Sequence, residues 1–329
     1  MIKRLLIYNS GGGIGDSIQL LPLINTLKSE LKNTKFYYLS AHENHFNSSL
    51  KDYNCKIDTL DLNIKYFGFR WWHFLLINKK IKANNIDSFD VIIDLQSKIR
   101  NTLILKKIPH KFFISTSFNF SLSKPKIYIK KNKKISNTVL EAMNMILNEK
   151  YLMKEFNLVD IDKKFFIEAE RLLPKKNYIG FSITQGNVYR KKEWPLNKIL
   201  KISEELVKKN KTSLFLIEKK YNEIKNKIKN VIPSSLFPEH ETNLSSPALV
   251  TCLGKRLDLA ITIDNGVMHM LSLSKVPMIS LFGPTDPEKF APQYKKSLVL
   301  DSKKIYSSKN VSDITVEDVL LAVKQFVNF

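Results

Sequence analysis

A glycine-rich segment near the N-terminus, residues 10–16, is the first place where the sequence could perform chemistry. It follows a continuous apolar run and precedes apolar residues at helical spacing, so it should join a buried strand to an amphipathic helix. Backbone amides in such a loop can hold an anion. Two common phosphate-binding loops are nevertheless excluded. Asp16 stands where a dinucleotide-binding loop has its third glycine and where a Walker A loop has its lysine.

Asp16 is instead a candidate for acid–base chemistry. A carboxylate held at the junction of a loop and a helix can accept a proton from a hydroxyl group and act as a general base. The alternative is that Asp16 caps the helix, because Asp is among the preferred N-cap residues. The pattern alone leaves both roles open.

A second segment, residues 263–269, ends a predicted strand in a small polar turn and begins a helix. Exposed amides at the start of that helix could hold a pyrophosphate group. Asp264 would repel phosphate, so we expect it to hold the loop by accepting backbone hydrogen bonds. His269 lies one turn into the helix, where a packed helix residue is the simpler interpretation.

A third segment, residues 184–195, lies between a predicted strand and a predicted helix and is rich in hydrogen-bond donors and cations. Such a loop could clamp a diphosphate leaving group. The alternative is a solvated basic loop in which Trp194 packs beneath Pro195 at the start of the helix.

Alternating strands and helices must position these segments, and this alternation predicts parallel sheets with helices on both faces. A chain of 329 residues is long enough for two such domains. We place them at residues 1–165 and 166–329, the second ending in a capping helix. Strands are expected at residues 3–9, 36–39, 57–60, 91–95, 112–115, 178–183, 213–217, 259–263 and 277–282. Helices are expected from residue 18 to residue 31 and at 72–86, 139–147, 195–208, 221–229, 265–274 and 316–326.

The net charge of +22 points to an anionic partner, either nucleic acid, an anionic membrane surface or a phosphorylated ligand. Only six of the 53 basic residues are Arg, so a compositional bias towards Lys is an equally good explanation. The sequence has no recognisable nucleic-acid-binding module, and nucleic acid is therefore not expected as a partner. No apolar run approaches the roughly 20 residues that cross a bilayer. Cys55 and Cys252 lack the spacing of a metal site and indicate a reducing, cytoplasmic compartment.

Taken together and in this order, the segments resemble glycosyltransferase family 9, the ADP-heptose:lipopolysaccharide heptosyltransferases. The C-terminal block is the most specific, because it follows the family's Asp-Ser/Thr-Gly-x-x-His and Leu-Phe-Gly-Pro-Thr-Asp-Pro signatures. The matching residues span both predicted domains. They are Gly15-Asp16 with Pro22, residues 89–96 with Arg100, Lys192-x-Trp194-Pro195, residues 264–269 and residues 281–287.

The resemblance implies a GT-B fold, in which two Rossmann-like, doubly wound α/β domains face an interdomain cleft. The acceptor would bind the N-terminal domain and the nucleotide-sugar the C-terminal domain. Asp16 becomes the candidate catalytic base, and Gly15 and Arg100 become candidate acceptor contacts. The candidate donor-binding residues are Thr184, Gln185, Lys192, Glu218, Glu223, Asp264, Asn265, Gly266 and His269.

The sequence departs from the family pattern at two places. Asn265 stands where Ser or Thr is common, so an amide would replace one hydroxyl donor to phosphate. The glycine that usually precedes the ribose-binding glutamate is absent, so either Glu218 or Glu223 could hold the ribose. The nucleotide specificity therefore stays open.

The implied reaction moves a heptose or a related sugar from a nucleoside-diphosphate sugar to an anionic Kdo-lipid A acceptor of the lipopolysaccharide inner core, with inversion at the anomeric carbon. ADP-heptose is the expected donor. Lys192 and the amides after Asp264 would stabilise the diphosphate, so neither a cofactor nor a metal is expected. Two alternatives stay open. One is a transferase or epimerase of similar architecture that uses another nucleotide-sugar, and the other is a basic nucleic-acid-binding or regulatory protein without turnover.

An aromatic and basic stretch, residues 67–72, could bring the chain into peripheral contact with the inner membrane. The alternative is that these aromatic side chains are buried at the start of a helix.

Overall fold

The computed structural model describes residues 1–41, 43–96, 98–129, 134–186 and 188–327. The chain divides into two compact units, Met1–Asn157 and Leu158–Phe329. The predicted domain boundary after residue 165 lies slightly further along the chain, inside the helix Lys163–Leu172.

The first unit is built around a parallel sheet of five strands in the order β3-β2-β1-β4-β5. Leu5, Leu6, Ile7 and Tyr8 of the central strand are fully buried, as a strand covered by helices on both faces requires. The strands are β1 Arg4–Asn9, β2 Lys35–Ser40, β3 Asp58–Thr59, β4 Phe89–Asp94 and β5 His110–Ser115. The helices are α1 Ile14–Ile18, α2 Leu21–Glu30, α3 His73–Ala83, α4 Ile99–Leu105 and α5 Ile135–Leu147.

The region after the glycine-rich segment forms two helices where the sequence predicts one. Gln19 and Leu20 separate α1 from α2, and Pro22 occupies the second position of α2. Proline is tolerated in the first turn of a helix, where its missing N–H has no intrahelical acceptor, but not further inside. The position of Pro22 therefore requires a new helix to start beside it.

The second unit contains another parallel sheet of five strands, in the order β10-β9-β8-β6-β7. Its edge strand β10 was not predicted, because its half-buried residues lack the continuous apolar run of the inner strands. The strands are β6 Tyr178–Ser182, β7 Thr212–Phe215, β8 Leu259–Ile263, β9 Met278–Phe282 and β10 Ser297–Asp301. The helices are α6 Lys163–Leu172, α7 Leu196–Lys208, α8 Asn222–Val231, α9 Pro247–Gly254, α10 Gly266–Leu273, α11 Pro287–Phe290, α12 Ser302–Tyr306 and α13 Val316–Val323.

Each sheet reverses its strand order once. In the first unit the chain runs outward from β1 to β2 and β3, then crosses to β4 on the other side of β1. In the second unit it runs from β6 to β7, then crosses to β8 on the other side of β6. The predicted doubly wound α/β class is confirmed in both units. Ligands in such sheets bind beyond the carboxyl ends of the two strands at the reversal.

In the part of the chain that the structure describes, no helix combines the length and the apolar character needed to traverse a bilayer.

Candidate functional site

The reversal point of the first unit brings together the loops that follow β1 and β4. Asn9, the last residue of β1, accepts the N–H of Gly11 at 3.0 Å through its side-chain oxygen. The same oxygen accepts the side-chain amide of Gln96 at 3.2 Å. One buried side chain thus ties the glycine-rich segment to the loop after β4, although the two lie far apart in the sequence.

Asp16 is the third residue of α1, and the N-cap is Gly13, which has no side-chain cap. The interpretation of Asp16 as the N-cap is therefore wrong. Its side chain is exposed, and a Cβ atom at Gly11 would come within 2.8 Å of the Asp16 carboxylate. The carboxylate therefore lies close to the backbone of Gly11 in this conformation, on an exposed residue. Gly15, the preceding residue, contributes its carbonyl oxygen to the side-chain amide of Gln19 at 3.4 Å.

Two residues that the sequence did not indicate support this loop. The Nε2 atom of His45 lies 3.2 Å from the carbonyl oxygen of Gly12, which can only accept, so Nε2 carries the proton. Tyr38 is buried, and its hydroxyl group lies 3.5 Å from the Ser17 hydroxyl group. Burial raises the pKa of Tyr38 to about 12, with the charge of Asp16 acting in the same direction. A neutral phenol therefore lies beneath α1.

Asp94 closes β4 and is fully buried. It accepts the N–H of Gln96 at 3.0 Å and the hydroxyl groups of Thr102 and Ser115 at 2.6 and 2.8 Å. Burial raises the pKa of Asp94 to about 6, although these hydrogen bonds favour the carboxylate. The Ser117 hydroxyl group also donates to the Gln96 carbonyl oxygen at 3.2 Å. Gln96 is thus held firmly in the position from which it reaches Asn9.

Arg100, the candidate acceptor contact, lies in the first turn of α4. Its Nε atom donates to the carbonyl oxygen of Gly68 at 2.8 Å. The hydroxyl group of Tyr8 donates to the neighbouring carbonyl oxygen of Phe67 at 2.9 Å. Arg100 therefore positions the aromatic stretch before α3, a role that the sequence did not indicate.

At the reversal point of the second unit, Asn265 connects β6 to α10. Its side-chain oxygen accepts the N–H of Met268 at 2.9 Å and caps α10. Its amide nitrogen donates to the Ser182 hydroxyl group at 2.7 Å and to the Thr184 carbonyl oxygen at 2.8 Å. An amide group has two N–H donors, and both are used here. In this structure the amide therefore holds the loop after β6, and its expected role as a donor to phosphate stays a prediction.

Lys192 and Asp264 form an ion pair beside Asn265, with 2.5 Å between Nζ and Oδ2. Their side chains are 11% and 6% exposed, so the pair is largely withdrawn from water. The Thr285 hydroxyl group donates to the same Asp264 oxygen at 2.7 Å. Asp264 was expected to accept backbone hydrogen bonds. Among the described residues, the donors to its carboxylate are instead the side chains of Lys192 and Thr285. The loops after β6, β8 and β9 meet at this one carboxylate.

Gln185 and Glu193 organise the loop between β6 and α7. The side-chain oxygen of Gln185 accepts the N–H of Lys192 at 2.8 Å, and Glu193 accepts the N–H of Gln185 at 3.3 Å. Gln185 is only 8% exposed. Its side chain therefore shapes the loop. A solvated basic loop, the alternative considered from the sequence, would leave the Gln185 side chain in solvent.

The start of α10 presents the N–H groups of Gly266 and Val267, since the first amides of a helix have no intrahelical acceptor. His269, one turn further on, is buried, as expected for a packed helix residue. Trp194 is buried as well, and its indole N–H donates to the Ile314 carbonyl oxygen at 3.0 Å.

The two candidate ribose ligands, Glu218 and Glu223, are both exposed. Glu218 pairs with Lys220 at 2.8 Å, and Glu223 lies in the first turn of α8. A polar cavity of about 500 Å³ adjoins this region, and its lining includes Lys219 and Thr242. The choice between the two glutamates therefore stays open.

Replacing Asn265 tests the connection between β6 and α10. We expect Asn265→Ser to keep a capping oxygen but lose both donations, at a cost of about 2 kcal/mol in the free energy of unfolding. Asn265→Asp should cost more, because a carboxylate oxygen would then face the Thr184 carbonyl oxygen. Urea unfolding measures both.

Asn310→Ser is the matched control, since Asn310 caps a short helix in an exposed position. It should change the free energy of unfolding by less than about 1 kcal/mol. An Asn265→Ser variant as stable as the unchanged protein would refute the connecting role.

Comparison with known proteins matches the model of glycosyltransferase family 9 (heptosyltransferase) to residues 76–320. Comparison with curated protein sequences gives no match. Among solved structures, a glycosyltransferase of family 9 from Veillonella parvula is similar, with a TM-score of 0.70 and 18% identity over 98% of this chain and 97% of that one.

Two further proteins share the fold. E. coli heptosyltransferase WaaC, solved with ADP and with ADP-2-deoxy-2-fluoro heptose, has a TM-score of 0.68 and 15% identity, covering 98% of this chain and 100% of that one. The UDP-GlcNAc 2-epimerase from Methanocaldococcus jannaschii has a TM-score of 0.57 and 15% identity, covering 100% of this chain and 93% of that one.

Proposed function

The chain belongs to glycosyltransferase family 9, and we propose that it moves a heptose from ADP-heptose to a lipopolysaccharide inner-core acceptor. It is a glycosyltransferase, while the choice of sugar, nucleotide and acceptor is the proposal. The observation that carries the proposed transfer step is the position of Asp16, an exposed carboxylate beside Gly11 at the reversal point of the first sheet.

In the proposed reaction Asp16 takes the proton of the acceptor hydroxyl group. The hydroxyl oxygen forms a bond to the anomeric carbon of the sugar as the bond from that carbon to the diphosphate breaks. Attack from the face opposite the leaving group inverts the anomeric centre. Asp16 then holds the proton, and the nucleoside diphosphate leaves with the electron pair.

The leaving diphosphate is proposed to bind at the start of α10. The N–H groups of Gly266 and Val267 supply two donors there. Lys192 supplies a third, because an ammonium group has three protons and can hold Asp264 while it donates to a phosphate oxygen. With these donors the transfer is expected to need no metal ion.

The proposed acceptor is an anionic Kdo-lipid A precursor in a membrane, which the chain approaches from the surface. The net charge of +22 supports an anionic partner. The ligands of the two E. coli WaaC structures, ADP and an ADP-heptose analogue, support the choice of donor only by analogy.

One alternative keeps the fold and uses another nucleotide-sugar, and the fold similarity to a UDP-GlcNAc 2-epimerase supports it. The other alternative, a nucleic-acid-binding protein without turnover, rests on the net charge alone and does not agree with the family match.

The deciding experiment measures sugar transfer by the purified protein to Kdo-lipid A, with ADP-heptose compared with UDP- and GDP-sugars. We expect transfer from ADP-heptose that persists in EDTA. Transfer or epimerisation with another nucleotide-sugar would replace the substrate and keep the fold. No binding of any nucleotide-sugar would reject the proposed class of donor.

A further inference from the structure

The first unit carries an exposed apolar and cationic surface on α3 and the turn before it. We call it the α3 surface, and it consists of Tyr66, Arg70, Trp71, Trp72, Leu75, Leu76, Lys79 and Lys80. Trp71, Trp72 and Leu75 are 59%, 56% and 78% exposed. The expectation that this aromatic stretch is buried therefore holds for Phe67 and fails for both tryptophans.

The exposed residues follow the geometry of a helix. Within α3, side chains four residues apart lie on one face, so Leu75 and Lys79 form one row and Leu76 and Lys80 form a second beside it. Trp71 and Trp72 lie in the turn that leads into these rows, with Trp72 as the N-cap. The surface is therefore apolar at the start of α3 and cationic towards its end.

The opposite face of α3 holds this surface outward. His73 and Ile77 are buried, and Phe74 and Ile81 pack against the core of the first unit. The turn before the helix is held by the hydrogen bonds from Tyr8 and Arg100 to the carbonyl oxygens of Phe67 and Gly68. Packing Trp71 and Trp72 inside the first unit would require α3 to rotate and would expose this core.

The segment of the sequence that carries this surface has charges of a single sign. Residues 62–86 contain five cations and no Asp or Glu; the cations are Lys65, Arg70, Lys79, Lys80 and Lys82. A groove of about 600 Å³ lies beside the helix start, with Ile64, Phe69 and Leu76 among its lining residues. Lys65, Arg70 and Lys80 line the same groove, so it offers both apolar contacts and cations to one ligand.

We propose that the α3 surface docks on a bilayer rich in anionic phospholipid. Tryptophan favours the boundary between lipid headgroups and acyl chains, and helices with one apolar face lie in that boundary. Lysine and arginine side chains near the bilayer surface add attraction to anionic headgroups. The inference rests on the proposed function in one respect, which is that the acceptor is a lipid. Docking on the bilayer itself requires no sugar.

A second copy of the chain fits this surface less well. A symmetric dimer would place the same patch of both copies face to face. The five cations of one copy would then meet those of the other without any acidic residue of residues 62–86 to neutralise them. Anionic headgroups remove that repulsion.

The test measures sedimentation with vesicles of equal parts phosphatidylcholine and phosphatidylglycerol, and with vesicles of phosphatidylcholine alone. The unchanged protein should bind the anionic vesicles at least about tenfold more tightly. Its tryptophan fluorescence should shift to shorter wavelength on binding. The chain has three tryptophans and Trp194 is buried, so the shift reports on Trp71 and Trp72.

The triple variant Trp71→Ser, Trp72→Ser, Leu75→Ser should lose at least about tenfold in vesicle affinity, as should Lys79→Glu with Lys80→Glu. Matched controls are Leu152→Ser, Val159→Ser, Leu321→Ser, which are also exposed, and Lys201→Glu with Lys227→Glu, which make the same change in net charge. The triple control should bind like the unchanged protein. Both lysine pairs change the net charge equally, so the loss of affinity in Lys201→Glu with Lys227→Glu gives the effect of net charge. The loss in Lys79→Glu with Lys80→Glu should exceed it.

Equal binding by the triple variant and its control would overturn the proposal, as would equal binding to both kinds of vesicle. A dimer in sedimentation equilibrium that the triple variant dissociates would assign the surface to a second copy instead. Sugar transfer to a water-soluble acceptor without acyl chains is measured as well, because that reaction needs no bilayer. It separates a loss of vesicle binding from a loss of transferase activity. The triple variant should retain that transfer even when vesicle binding is lost.

Discussion

Asp16→Asn should lower the turnover number for sugar transfer by about a hundredfold to ten-thousandfold and leave the affinity for the donor unchanged. The amide has the shape of the carboxylate but cannot take a proton from the acceptor hydroxyl group. Because Asp16 is exposed, the melting temperature should stay close to that of the unchanged protein. Transfer kinetics with saturating donor, together with donor titration, measure the two effects separately.

Asp87→Asn is the matched control, because the Asp87 side chain is 87% exposed and pairs with Arg4 at the surface. It should transfer sugar at the normal rate. A turnover number for Asp16→Asn within about threefold of the control would remove Asp16 from the role of base. A large fall in melting temperature would assign it a structural role instead.

Lys192→Met should destabilise the protein by about 3 to 5 kcal/mol, because it leaves the buried carboxylate of Asp264 without its cation. Thr285 would still donate to that carboxylate. The double variant Lys192→Met, Asp264→Asn removes both charges and should recover more than half of the lost stability. Chemical unfolding of the single and double variants measures the coupling between the two residues.

The same pair of variants separates stability from chemistry. If Lys192 donates to the leaving diphosphate, sugar transfer should stay at least about a hundredfold reduced in the stable double variant. A double variant with normal transfer would show that Lys192 serves the fold alone. The exposed pair of Lys208 with Glu205 is the control, and breaking it should cost less than about 1 kcal/mol.

The elements of both sheets were largely predictable because their patterns are local. A buried parallel strand is a short apolar run, and nine of the strands were expected close to where they lie. β10 was missed because it lies at the edge of its sheet and is only partly buried. The break between α1 and α2 was missed although Pro22 signalled it.

The candidate site was predictable in its location more than in its contacts. Lys192 and Asn265 lie in loops that follow β6 and β8, and Asp16 lies in the first turn of the helix that follows β1. The N-cap role considered for Asp16 was wrong, because the N-cap of α1 is Gly13, which acts without a side chain. The Asn265 side chain caps α10 and also donates to Ser182 and Thr184, which are distant in the sequence and which composition does not reveal.

The sequence by itself determined two doubly wound units and the order in which their loops reach the carboxyl ends of the strands, because hydrophobic periodicity acts within a few residues. Only the tertiary structure decided the partners across each sheet. Gln96 reaches Asn9 across 87 positions, Lys192 reaches Asp264 across 72, and Asn265 reaches Ser182 across 83. These contacts form because crossover connections make β1 and β4, and β6 and β8, neighbours in space, which no local spacing encodes.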